Sequence, residues 1–228
     1  MQEEWLGEAR AWIAAECERH GERPTGEIEQ PHVEWWSTVL RVPTSAGDLW
    51  FKAAAPAGKF EAGLVELLAR LRPSRVPELV ASDPERGWVL MRDGGTRLRE
   101  LIQTPGDTRR WEDVLPAYAD VQLAAAPLAD ELLALGVPDS GLDALPGLLA
   151  GVLDDESVLL LGHPDGLTAA ERDRLRRSVP EFEALCRELT AYGVPETVQH
   201  DDLHDGNVFL SEHGYVGPGW RPPRQPAT

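Results

Sequence analysis

Residues 199–207 read Gln-His-Asp-Asp-Leu-His-Asp-Gly-Asn, and this stretch says more about the fold than any other part of the chain. Five of its nine residues are His or Asp, a density that a solvated turn does not require. Apolar residues flank it on both sides, with Val198 before it and residues 208–210 (Val-Phe-Leu) after it. We therefore expect a polar loop that is held between short buried strands.

Upstream of this loop, the hydrophobic period changes along the chain. Before the glycine pair at 94–95, segments with the period of a helix alternate with segments that have the period of a strand. The helical segments are 2–20 and 60–71, and the strand segments are 33–42, 49–53, 76–81 and 88–91. Beyond that pair the period is helical, at 98–102, 109–135 and 168–192. Thr168 followed by Glu171 forms a capping box at the start of the last helix. The pattern predicts an α+β protein with a small β-rich N-terminal lobe and a helical C-terminal lobe.

Composition excludes several classes of protein. The chain has 228 residues, of which 42% are hydrophobic and 27% charged, as in a globular domain. Its two cysteines, Cys17 and Cys186, form neither a disulfide framework nor a metal spacing. No apolar run reaches the ~18 residues of a membrane span, and the acidic N-terminus lacks the pattern of a signal peptide. We therefore expect a cytoplasmic protein that does not bind membranes.

The net charge is −17, with 22 basic residues against 39 acidic ones. A nucleic-acid-binding protein needs a basic face, so this balance argues against nucleic acid as a partner. It is compatible with a cationic small substrate that the protein's field attracts.

The polar loop resembles the catalytic loop of a known family. His200, Asp202 and Asn207 have the spacing of the kinase catalytic loop, and the string His-Asp-Asp-Leu-His-Asp-Gly-Asn resembles that of the aminoglycoside phosphotransferase and choline-kinase-like family. The family shares the two-lobed protein-kinase fold. The resemblance implies ATP-dependent phosphoryl transfer to a small-molecule hydroxyl, with Asp202 and His200 as catalytic residues. It also implies Mg²⁺, bound by Asn207.

The resemblance assigns further residues to the nucleotide. Lys52 follows residues 49–51 of a predicted strand and would contact the phosphates of ATP. Glu61, early in the next helix, would hold that lysine, with Glu66 as the fallback. The backbone around Met91 and Asp93 would contact the adenine. The other lysine of the chain, Lys59, lies in a loop and is interpreted as solvated.

The same comparison predicts the domain boundaries and one departure from the family. Residues 1–93 would form the nucleotide-binding lobe and residues 94–216 the helical lobe, with the catalytic loop at 199–207. Gly219 stands where the family has a second metal-binding Asp, and helices that complete the large lobe are missing. Residues 217–228 are rich in proline and lack a carboxylate. We therefore expect a C-terminally truncated chain whose irregular tail departs from the family's sequence, as a frameshift would produce; the alternative is a natural flexible tail.

Two alternatives to an active kinase remain open. One is an impaired relative that binds the nucleotide but lacks the second metal ligand. The other is a metal-dependent phosphohydrolase in which residues of the polar loop bind the metal ion directly, namely His200, Asp201, Asp202, His204 and Asp205. The sequence leaves the acceptor and the oligomeric state open.

Overall fold

The computed structural model describes residues 2–102, 104, 106–212 and 214–216. Its α-helices are α1 (Gln2–Arg19), α2 (Phe60–Leu71), α3 (Leu98–Leu101), α4 (Trp111–Ala125), α5 (Ala129–Ala134), α6 (Leu145–Asp154) and α7 (Ala169–Thr190). Its strands are β1 (Glu29–Val33), β2 (Ser37–Thr44), β3 (Gly47–Ala54), β4 (Leu79–Asp83), β5 (Trp88–Arg92), β6 (Thr96–Arg97), β7 (Phe209–Ser211) and β8 (Gly214–Val216). This is the α+β composition that the sequence predicts.

The chain forms two compact units. The larger comprises the chain up to Val137 and the described residues from Thr197 onward, and the smaller is Pro138–Glu196. The lobe boundary predicted after residue 93 lies within the larger unit, so the division into residues 1–93 and 94–216 stays a prediction. The predicted irregular tail, 217–228, lies outside the described residues.

The first sheet is antiparallel, with the strand order β1-β2-β3-β5-β4. Its two faces pack against different helices. On one face, Phe51 pairs with Leu40 and Leu90 across the strands, and this row packs with Ile13 of α1. Because side chains alternate along a strand, Lys52 lies on the opposite face. That face also carries Val89, its cross-strand partner, which packs with α2.

Two sequence expectations about these elements are wrong in detail. The strand predicted over 33–42 is interrupted, because Trp35 and Trp36 form a tight turn between β1 and β2, closed by the Glu34 N–H donating to the Ser37 carbonyl at 2.9 Å. Alternation alone does not reveal such a turn. The helix predicted over 109–135 ends at Ala125, since Pro127 supplies no N–H for its continuation.

The polar loop, residues 199–207, is anchored at both ends. Val198, before the loop, packs in a cluster with Leu67 of α2 and Val121 of α4. After the loop, Phe209 is 1% exposed and begins β7, which pairs with β6 and β8 in a second sheet. The sequence predicts strands on both sides of the loop, and the structure has one only on the C-terminal side.

The smaller unit contains α6 and α7, which pack against each other. Helix α7 begins with the predicted capping box, in which the Glu171 N–H donates to the Thr168 hydroxyl at 3.2 Å and the Thr168 N–H donates to the Glu171 carboxylate at 2.9 Å. None of the helices in the described part of the chain is both long and apolar enough to cross a membrane.

Candidate active site

Lys52 and Glu61 form an ion pair between β3 and α2. The lysine side chain is 13% exposed, and that of the glutamate 38%. Glu66, the alternative partner, instead accepts a hydrogen bond from the Ser82 hydroxyl. The structure therefore brings Lys52 together with Glu61, the glutamate that the family resemblance favours. The pair holds the ammonium group on the face of the sheet opposite α1.

His200 opens the loop and is fixed by two hydrogen bonds. Its backbone N–H donates to the Tyr118 hydroxyl at 2.7 Å, and its Nδ1 accepts the backbone N–H of Asp202 at 3.1 Å. The second bond requires an unprotonated Nδ1. Burial lowers the pKa of His200, and the charges of Asp201 and Asp202 oppose that shift. The ring is thus a neutral group that positions the backbone ahead of Asp202.

Asp202 and Asn207 form the centre of the loop. The Asn207 Nδ2 donates to both the backbone carbonyl and the Oδ2 of Asp202, each at 2.9 Å. Because both partners are acceptors, the amide nitrogen faces Asp202 and the amide oxygen is the end suited to a metal ion. Asp202 is exposed, so its carboxylate can meet a substrate. A carboxylate and an amide oxygen are ligands of the type that Mg²⁺ prefers.

Arg99 of α3 holds Asp205, the last of the three acids of the loop. Its Nε and one terminal nitrogen donate to the Asp205 Oδ1 at 3.0 and 2.8 Å, and its backbone N–H donates to the Asp205 carbonyl at 2.9 Å. The side-chain bonds from Arg99 lower the pKa of Asp205. His204 lies beside the pair, with its Nδ1 3.7 Å from the Asp205 Oδ1. Asp205 therefore anchors the loop to α3.

Lys52 and the polar loop lie close enough to interact electrostatically. The positive charge of Lys52 contributes to the lowered pKa of His200, a residue far away in the sequence. Both belong to the larger unit. The fold thus gathers a cation from the sheet and the acidic loop into one polar region.

Met91 and Asp93 occupy the end of β5 and the segment after it. Met91 is 3% exposed. The Asp93 carboxylate accepts hydrogen bonds from the Trp50 indole at 2.9 Å and from the Gly95 N–H at 2.8 Å. The backbone N–H groups of residues 92 and 93 donate to carbonyls of residues 78 and 48. The predicted adenine contact at Met91 and Asp93 stays a prediction, and it would need groups other than those two N–H donors.

One site expectation lies outside the described residues, and a second can be compared with the structure. Gly219, the position of the second metal-binding Asp in the family, lies outside the described residues. The sequence also leaves open a phosphohydrolase with several His and Asp ligands. Within residues 2–102, 104, 106–212 and 214–216, no group of three or more His, Cys, Asp or Glu side chains is arranged to hold a metal ion.

Sequence reasoning misses Tyr118 and Arg99 as supports of the loop. Tyr118 lies in α4 and Arg99 in α3, and neither stands in a motif that links it to residues 200–205. Both contacts depend on tertiary packing. A hydroxyl on the inward side of a helix is the one weak sign that could have pointed to Tyr118.

Comparisons with known proteins agree with this arrangement at the level of the fold. No family model matches the sequence, and no curated protein matches it. Among solved structures, a macrolide 2'-phosphotransferase type I is similar over 92% of this chain and 73% of its own, with a TM-score of 0.52 and 14% identity. An ethanolamine kinase from Plasmodium vivax is similar over 83% of this chain, with a TM-score of 0.51 and 16% identity.

The chain spans about half, 54%, of the ethanolamine kinase chain. Both structures belong to the aminoglycoside phosphotransferase and choline-kinase-like group that the catalytic-loop string resembles. This chain has its elements in the order that the family resemblance implies, with strands first, then helix α2 and later the polar loop. The chain therefore has the protein-kinase-like α+β fold of that group.

Proposed function

We propose that the protein is an ATP-dependent phosphotransferase that transfers the γ-phosphate to a hydroxyl of a small molecule. The observation that carries the proposal is the pair of contacts Lys52–Glu61 and Asp202–Asn207 in one compact unit. Phosphoryl transfer needs a cation on the phosphates and a carboxylate at the acceptor hydroxyl. The two pairs supply both groups.

In this proposal, Asp202 orients the acceptor hydroxyl and takes its proton as the new O–P bond forms and the bond to the leaving ADP breaks. Its Oδ2 is held by Asn207, so the carboxylate presents a fixed direction to the acceptor. His200 sets the backbone before Asp202 and does not itself exchange a proton, because its Nδ1 is engaged with the Asp202 N–H. Lys52, steadied by Glu61, binds the phosphates.

The Asn207 amide oxygen would hold Mg²⁺ together with phosphate oxygens of the nucleotide. The amide nitrogen is committed to Asp202, which leaves the oxygen end for this role. When bound, the ion neutralises charge on the phosphates. The donor chemistry therefore fits the ion that the resemblance implies.

The acceptor is a small molecule with a hydroxyl group, and a cationic acceptor suits the charge of −17. The similar solved structures are named as enzymes for a macrolide and for ethanolamine. Aminoglycosides, macrolides, ethanolamine, choline and homoserine form the panel with which we would begin.

A specific observation also favours the second candidate, a relative that binds ATP but transfers slowly. If the second metal ligand is missing at Gly219, another acid must replace it. Asp205 is already paired with Arg99. Of the loop acids besides Asp202, this leaves the exposed Asp201 as the candidate for a second metal ligand. A loop with one committed acid has less carboxylate available for a second ion.

The test uses the full 228-residue protein. ATP affinity is measured by calorimetry with Mg²⁺, and transfer is measured with γ-labelled ATP and the acceptor panel. Labelled product from the parent, and none from Asp202→Asn, supports the kinase. ATP binding without product from any acceptor supports the impaired relative. Absence of both binding and transfer overturns the proposal.

A further inference from the structure

Helix α7 carries a stripe of charges that is basic at one end and acidic at the other. Arg174 and Arg177 lie in the first half of the helix, and Glu181 and Glu188 lie in the second half. All four side chains are exposed, and none of them belongs to an ion pair among the described residues. At 100° per residue the four lie within about 60° of one another around the helix. They therefore share one side of α7.

This order of charges does not stabilise the helix that carries it. The helix macrodipole favours acidic residues near the N-terminus and basic residues near the C-terminus, which is the reverse of the order in the stripe. The other three arginines of α7 each pair with an acid of the same unit, namely Arg172 with Glu156, Arg176 with Asp154, and Arg187 with Glu183. The stripe thus holds the charges of α7 for which the described residues supply no ion-pair partner.

Exposed apolar side chains accompany the stripe. Leu185 and Leu189, one turn apart in α7, are 52% and 53% exposed. Helix α6, which packs against α7, has a similar pair in Leu148 and Val152, which are 49% and 46% exposed.

Helices α6 and α7 are antiparallel. Arg176 of α7 pairs with Asp154, at the end of α6. Two residues further along the chain, Glu156 pairs with Arg172, which lies one turn nearer to the start of α7. The chain therefore leaves α6 in the direction opposite to that of α7.

The two exposed apolar pairs lie on the same side of these helices. Val152 directly precedes the buried Leu153, and Leu185 directly precedes the buried Cys186. The buried residues mark the sides on which α6 and α7 pack against each other. In antiparallel helices, equivalent positions around the two axes face the same side. The smaller unit thus presents one apolar face beside the charged stripe, and contiguous apolar surface of this kind marks an interaction site.

A second copy of the chain matches this face. When two α7 helices pack antiparallel about a twofold axis, the basic end of each stripe meets the acidic end of the other. Two helices about 10 Å wide and about 30 Å long present roughly 600 Å² per copy, near the lower limit of a stable interface. The net charge of −17 opposes association at long range. Physiological salt, however, screens exposed charges beyond about 8 Å, so the local match dominates.

We propose that the protein forms a twofold-symmetric dimer through α6 and α7, with the two α7 helices antiparallel. The four exposed apolar side chains of each copy form the centre of the interface, and the charged stripes pair end to end at its edge. The proposal does not depend on phosphotransferase activity, because it uses only residues of the smaller unit.

The test is sedimentation equilibrium of the full chain and of charge-reversed variants. The acidic variant carries Arg174→Glu and Arg177→Glu, and the basic variant carries Glu181→Lys and Glu188→Lys. Each variant alone places like charges at both ends of the interface, so we expect the dissociation constant of its dimer to rise at least about tenfold. The variant with all four substitutions has opposite charges at the two ends again, and it should dimerise like the parent.

Two controls separate the stripe from general effects of charge and folding. Arg10→Glu with Arg23→Glu changes the net charge as much as the acidic variant does, at exposed positions of the larger unit, and should leave the dissociation constant unchanged. Leu185→Gln should weaken the dimer about tenfold, because it removes exposed apolar surface from the interface of both copies. All of these positions are exposed, and a thermal melt verifies that each variant folds.

Four results would overturn the proposal. One is a parent protein that stays monomeric up to about 0.5 mM. Another is a dissociation constant that is the same for the acidic variant and the parent. The third is a variant with all four substitutions that dimerises no better than the acidic variant. The last is growth of the parent beyond a dimer, which a closed twofold contact does not allow.

Discussion

The amide nitrogen of Asn207 donates to both the backbone carbonyl and the carboxylate of Asp202, at 2.9 Å in each case. One side chain therefore fixes both the backbone position and the direction of the exposed acid. The amide oxygen takes part in neither of these two bonds. This relationship explains why the spacing of Asp and Asn in the loop matters chemically.

Replacing Asp202 by Asn should remove phosphoryl transfer while leaving ATP affinity nearly unchanged. The variant retains the shape of the side chain but cannot take a proton from the acceptor, and such a loss costs about 10²–10⁴-fold in rate. Transfer is followed with labelled ATP and affinity by calorimetry. A variant that turns over as fast as the parent with any acceptor would show that Asp202 is not the base.

Replacing Lys52 by Met should weaken ATP binding by about 10- to 100-fold, because it deletes a charged contact to the phosphates. Lys59→Met is the matched control, since Lys59 is the other lysine of the chain and is exposed. Calorimetry with Mg²⁺ and ATP measures both variants. Equal affinities for Lys52→Met and the parent would remove Lys52 from the nucleotide site.

Local patterns predicted those parts of the site whose cause is local. Helix α2 has the bounds that its period predicts, so Glu61 falls in its first turn. The pairing of Glu61 with Lys52 is an implication of the family resemblance, and the structure contains that pair. The capping box of Thr168 likewise needs only a spacing of three residues. In each case the interacting groups are close in the chain or in adjacent elements, where period and spacing are informative.

Contacts between distant segments could not be predicted in the same way. Arg99 and Asp205 meet because Leu98 pairs its N–H with the Val208 carbonyl, which brings α3 beside the loop. No property of the arginine alone distinguishes it from the many other arginines of the chain. The position of Lys59 is a similar case, because its backbone lies so near Gly87 that a Cβ there would be 3.0 Å from the Lys59 Cα, and this approach depends on the folded sheet.

Replacing Tyr118 by Phe should destabilise the protein by about 1 kcal/mol, the usual net contribution of one hydrogen bond. The change deletes the acceptor of the His200 N–H, which lies 2.7 Å from the tyrosine hydroxyl. Tyr192→Phe is the control, since Tyr192 is 72% exposed. Urea unfolding compares the free energies of unfolding, and equal losses in both variants would contradict the anchoring role of Tyr118.

The pH dependence of stability should contain a contribution from His200. Burial lowers the pKa of this residue below its ordinary value of 6.5. Between the lowered folded pKa and about 6.5 the unfolded chain binds more protons than the folded one, so the free energy of unfolding rises with pH in this window. The free energy of unfolding therefore falls as the pH is lowered through this window, because protonation would break the bond from the Asp202 N–H to the His200 Nδ1.

His200→Asn separates this contribution from the others. The asparagine oxygen can replace Nδ1 as the acceptor but does not titrate, so the variant should lose less stability than the parent between about pH 7 and about pH 5. Burial also lowers the pKa of His32, and this contribution is present in both proteins and cancels in the difference. His163→Asn, at an exposed position, should behave like the parent. If urea titrations give parallel pH profiles for His200→Asn and the parent, His200 is not held neutral by its place in the loop.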